Sequence, residues 1–231
     1  MAHSRNYIEI SLVNESRMSD LQAAKIAGAV NRQVNEDFLP FYGGRCHVNY
    51  DARPEWADWT IFLRNESTVE DAAGHHTFND DGRTSGEVAL DQPFPVSAVV
   101  SHEVLEMLGN RSVADIAINY STPDDRVLWA KEVCDPVQAD LYKVDEFPVS
   151  AFVTPYWFSQ DFRGHKTTFG TKRNDIEPFE IADGGWAIAW TQDFRDRTLT
   201  MRDGNLMTVP RGESMILDHE RAAWLRSLHR P

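Results

Sequence analysis

The chain has 231 residues, 42% apolar and 26% charged, and its seven tryptophans and twelve phenylalanines exclude a disordered chain and suit one large domain or a domain with a smaller appendage. Its 36 acidic against 23 basic residues leave a formal charge of -13, which repels phosphate backbones and anionic membranes and argues against nucleic acid or a membrane as partner. No apolar run approaches the roughly 18 to 20 residues of a membrane helix and the polar start Met1-Ala2-His3-Ser4-Arg5-Asn6 lacks a signal peptide's apolar stretch, so a cytoplasmic location is expected.

In chain order, Tyr7 to Val13 alternates like an opening strand, and Ser19 or Asp20 caps a helix running toward Phe38 that Pro40 and Gly43-Gly44 end. His47 to Tyr50 and Trp59 to Leu63 read as strands separated by a turn around Ala52-Arg53-Pro54. A loop is expected from Glu70 to Gly86, with Gly74-His75-His76 and Asp80-Asp81-Gly82 as turn-like segments. Gly86 to Leu90 is a short strand before a helix from Ser97 to Leu108, with Ser97 as its N-cap and Gly109 just past its end. Val127 to Val133 fits strand or helix, and Ser150 to Phe158 is an aromatic extended stretch. Alternation resumes at Trp186 to Trp190. Asp203-Gly204, between Leu199 to Arg202 and Asn205 to Val209, is a hairpin signal, because a type I′ turn needs positive φ at both positions. Asp218 caps a last helix carrying Trp224, Leu225 and Leu228. The fold class is α+β, with residues 1–171 as one domain and 172–231 as a β-rich C-terminal portion packed on it. Two cysteines, Cys46 and Cys134, are too few for a disulfide framework and are expected as buried free thiols, a single bridge being the alternative.

The chemistry concentrates in Ser101-His102-Glu103-Val104-Leu105-Glu106-Met107-Leu108. At about 100° per residue His102, Glu103 and Glu106 share an arc of about 100°, with Val100, Val104, Leu105, Met107 and Leu108 on the other side. His102 and Glu106 stand one turn apart, the spacing at which one helix offers two ligands to one metal, with Glu103 beside them. Spacing alone also fits a solvated amphipathic face.

This segment resembles the H-E-x-x-H helix of the zincin metallopeptidases, with Glu106 in place of the second histidine. Together with Glu132-Val133-Cys134-Asp135-Pro136, Val149 to Phe158 and Pro178-Phe179 before Gly184-Gly185, it is similar to a group of bacterial and phage proteins of zincin type carrying S-H-E-x-x-E-M-L. The resemblance implies a zincin-like mixed sheet with a backing helix from Ser19 to Phe38, a metal-site helix, and Gly86 to Leu90 as the edge on which a peptide adds as a further strand. It implies one divalent ion, zinc first, held by His102, Glu106 and Glu132, with Glu103 as general base toward water in cleaving the amide bond of a peptide or small amide-containing substrate. Asp135 would accept a hydrogen bond from the His102 ring.

Two carboxylates and one neutral imidazole cancel the charge of the ion, whereas the usual two imidazoles and one carboxylate leave +1, so weaker electrophilic catalysis is expected at a site that also admits manganese, iron or calcium. Outside the helix, His75 and His76 read first as exposed turn residues, with His76 the reserve ligand. His165, Tyr142 and Tyr156 are candidates to stabilise an oxyanion, although each also fits a structural role. Tyr156, Trp157 and Phe158 line an aromatic substrate pocket or belong to core. The alternatives to a peptidase are a zincin-like binding or structural module, or a His/carboxylate metal enzyme of different chemistry, such as a small-molecule hydrolase or an oxygen-using iron enzyme.

Overall fold

The alternation at the start of the chain forms strand β1 (Ile8–Asn14), whose Ile10 and Leu12 are buried. The computed structural model describes residues 7–50, 54–69, 72–78, 83–111, 115–120, 127–172, 175–191, 196–201 and 205–210, with side chains described as far as Ala189. Its two compact units are Met1–Met107 with Lys143–Val149, and Leu108–Tyr142 with Ser150–Pro231. It is an α+β structure with several sheets and few helices. No helix among the described residues is long and apolar enough to cross a membrane.

In the first unit, Ser19 caps helix α1 (Asp20–Gln33) as expected, its Oγ accepting from the Gln22 N–H at 3.3 Å. Ala23, Ile26, Ala27, Val30 and Gln33 form its buried face, which packs on β1 and β2 (Cys46–Tyr50). Pro40 does not end this helix. A π turn at Val34–Phe38, where the Leu39 N–H reaches back to the Val34 carbonyl, leads into α2 (Leu39–Tyr42). Pro40 falls in the first turn of α2, where its missing N–H leaves no bond unmade, and Gly43, at φ 73°, ends the run.

Strands β3 (Trp59–Arg64), β4 (Gly74–Phe78) and β5 (Thr84–Ala89) complete a five-stranded sheet of order β2-β1-β3-β5-β4, in which β4 alone is antiparallel to its neighbour. The register aligns Val48 with Ile10, Leu12 with Ile61, and Leu63 with Val88, so one sheet face is a continuous apolar surface. Two expectations are corrected here. The stretch read as a loop contains β4, and β5 is not an edge, because β4 covers its outer side. Helix α3 (Val96–Gly109) follows. Ser97 lies inside it rather than capping it, and its Oγ donates to the Pro148 carbonyl at 2.7 Å. A buried hydrogen bond from Ser101 Oγ to Gln33 Oε1, 2.6 Å long, ties α3 to α1.

The second unit holds β6 (Ile116–Asn119) and β7 (Val127–Ala130), so the segment from Val127 is strand. Next in the chain is the hairpin of β8 (Leu141–Val144) and β9 (Phe147–Ser150), whose residues Lys143–Val149 belong to the first unit. The second unit resumes with the pair β10 (Phe152–Val153) and β11 (Thr168–Phe169). Strands β12 (Ala187–Thr191), β13 (Asp196–Met201) and β14 (Asn205–Pro210) join β7 and β6 in a second sheet, order β14-β13-β12-β7-β6. Strand β12 pairs antiparallel with β7, which joins the C-terminal strands to β6 and β7 in one sheet. β13 and β14 pair antiparallel with Met201 opposite Asn205. Asp203-Gly204 and the helix expected at Asp218 lie outside the described residues. Trp129, Trp157 and Phe179 pack with ring centroids 5.5 to 5.7 Å apart, and fully buried Trp157 donates its indole N–H to the Glu180 carbonyl, so the aromatic stretch contributes to core. Gly109 is the last residue of α3 rather than a cap beyond it. A Cβ there would lie 2.5 Å from Val133 Cγ1, so its role is close packing. Cys46 and Cys134 are buried and are not joined in a disulfide.

Candidate metal centre

Helix α3 is buried on its polar side as well as its apolar side. His102, Glu103 and Glu106 are 9, 3 and 4% exposed, so the alternative of a solvated amphipathic face is set aside. Strand β4 lies against this face. A Cβ on Gly74 would stand 2.6 Å from Val99 Cγ1 and 2.7 Å from Glu103 Oε1, so only glycine lets the strand come so near.

By strand alternation Gly74 and His76 face α3 while His75 faces the other way, beside Glu87 in the register. The reading of His75 and His76 as exposed turn residues is therefore corrected. The His76 side chain is 8% exposed and its Nδ1 lies 3.0 Å from Glu103 Oε2 and 3.8 Å from Glu106 Oε2. His75 Nδ1 is buried without a hydrogen-bond partner among the described residues. Across the strand pair, Gly86 stands opposite His76, and a Cβ at Gly86 would lie 2.6 Å from Ile61 Cδ1. Two glycines thus flank the imidazole on this face.

The spacing of four in α3 brings His102 Nε2 to 3.0 Å from Glu106 Oε1. Glu106 therefore stands between two imidazoles, one near each carboxylate oxygen. Candidate ligand atoms of His76, Glu103 and Glu106 all lie within 4.8 Å of one another. Two carboxylates buried this deeply cost several kcal/mol each unless positive charge compensates them, and protons or a cation can do so. Nitrogen and oxygen donors converging in this way suit a divalent ion of the zinc type.

Glu132 and Asp135 belong to the second unit. Glu132 Oε1 accepts from Asn110 Nδ2 at 3.3 Å. Asp135 is buried at the start of a single 3-10 turn, Asp135–Val137, where its backbone carbonyl accepts from the Gln138 and Trp186 N–H groups. His165 is exposed and stacks on the Tyr156 ring, centroids 4.1 Å apart, while Tyr142 packs edge-on against Phe169. None of these three belongs to the unit that holds the His76 cluster.

Replacing Gly74 by alanine is expected to push β4 away from α3 and lower stability by about 1 to 3 kcal/mol, the usual cost of overpacking. Urea denaturation of parent and variant measures this, and an unchanged midpoint would show that the contact has slack. Fold and cluster together define an α+β protein with a buried histidine and glutamate centre. Compared with protein-family models, with curated proteins and with solved structures, the chain matches none.

Proposed function

We propose that the protein is a metal-dependent hydrolase of the zincin kind that cleaves amide bonds in peptides or small amide-containing substrates. The observation that carries this reading is the burial of His102, Glu103 and Glu106 on one face of α3, with Glu106 between two imidazoles. His102 and Glu106 hold the ion, with Glu132 as the third ligand that the resemblance implies. A bound zinc ion, or manganese, iron or calcium in its place, supplies Lewis acidity toward a water molecule and the substrate carbonyl. Glu103 accepts a proton from the attacking water and passes it to the leaving nitrogen as the C–N bond breaks. Asp135 orients His102, and His165 or Tyr156 donates to the developing oxyanion. Strand β4 ends its sheet among the described residues, so an extended peptide adds there rather than at β5.

Treating the protein with a chelator is expected to abolish cleavage of a mixed pool of fluorogenic peptides, and stoichiometric zinc to restore it. Turnover indifferent to the chelator would contradict a metal-dependent mechanism. The glutamate at 106 also favours a second reading, a binding module that keeps the fold and the ion but turns nothing over.

A further inference from the structure

We propose that His76, carried on the edge strand β4, is the third protein ligand of the ion in place of Glu132, supplying the second imidazole that α3 lacks because position 106 is a glutamate. The inference rests on the metal-centre reading above and changes its ligand set. His76 Nδ1 faces both helix carboxylates, at 3.0 Å from Glu103 Oε2 and 3.8 Å from Glu106 Oε2. Zinc bonds of about 2.0 to 2.2 Å in a tetrahedral site put ligand atoms roughly 3.2 to 3.6 Å apart. The 3.8 Å from His76 to Glu106 and the 3.0 Å from His102 to Glu106 bracket that range, while the His76 and His102 imidazoles stand farther apart and have to close on the ion.

Charge favours the substitution. With His102, Glu106 and Glu132 the ligands cancel the ion, which weakens its pull on a carbonyl. With His76, His102 and Glu106 a charge of +1 remains, as in a site with two histidines and one glutamate, and Glu103 stays available as base. The backbone is also arranged for it. Gly74 lets β4 approach the helix, and Gly86, opposite His76 in the register, places no side chain beside the imidazole. A ligand on the strand that would pair with substrate sets the peptide backbone beside the ion.

The test is a cobalt(II) titration of the full chain, read by visible absorption and by bound metal, on the parent, His76→Ala, His76→Cys, His75→Ala and Glu132→Ala. His76→Ala is expected to weaken binding by at least about 100-fold, beyond the 10- to 100-fold that loss of an outer-shell partner costs. His75→Ala, on the opposite face of the same strand, should bind as the parent does. His76→Cys should add near-ultraviolet sulfur-to-cobalt absorption over the parent, and circular dichroism on the same sample separates this from thiols exposed by unfolding. If His76→Ala keeps parental affinity and His76→Cys adds no band while Glu132→Ala loses the ion, the inference is overturned and the metal-centre reading stands. If the parent binds no ion, that reading fails and this inference with it.

Discussion

Glu106→Gln is expected to lower affinity for zinc by at least about 100-fold, and to change stability with a sign that depends on the ion. The amide keeps the volume of the carboxylate but removes its charge, and it offers the ion only one weak oxygen donor. In chelator, a buried carboxylate is exchanged for a neutral group. The exchange removes the cost of burying that carboxylate, and the variant should be as stable as the parent or up to a few kcal/mol more so. In excess zinc the order reverses. A ligand at 1,000 times its dissociation constant stabilises the folded parent by about 4 kcal/mol, and the variant forgoes that gain. Thermal melting of both proteins with chelator and with zinc reads this crossing. A parent whose melting temperature ignores zinc would contradict it.

Glu103→Gln carries the other large effect. Turnover is expected to fall by about 10²- to 10⁴-fold, the range general base catalysis supplies, while the ion is retained. Glutamine still offers oxygen to His76 but cannot take a proton from water, so binding and catalysis separate in this one variant. Measured kcat and metal content on the same preparations decide between the two readings of the site. Lost turnover with the ion kept marks an enzyme. Unchanged behaviour of every kind marks a binding module.

Much of this was legible from the residues alone. Ser19 announced α1 because its hydroxyl satisfies an N–H that the helix cannot, and the four-residue spacing of His102 and Glu106 put them together on α3. Strand β4 was not legible. Gly74-His75-His76 leads into Asp80-Asp81-Gly82, chemistry that normally makes turns, and what makes Gly74–Phe78 a strand is pairing with β5 and packing against α3, neither of which is local. The same omission made β5 look like an edge. It also left His76 on the surface, although the alternation of Gly74 and His76 against His75 and Thr77 was the available signal. The run through Pro40 was hidden for a different reason, since a π turn depends on hydrogen bonds that no residue pattern announces. Only the resemblance, and no residue pattern, assigned Glu132 and Asp135 to the ion.

The central claim is that the cluster on α3 binds a divalent ion. The measurement that tests it most directly is metal content by plasma mass spectrometry on protein purified without chelator, beside His102→Ala and Glu106→Ala prepared identically. About one ion per chain in the parent and little in either variant is the predicted result. A parent empty even after dialysis against zinc, manganese and iron would contradict it.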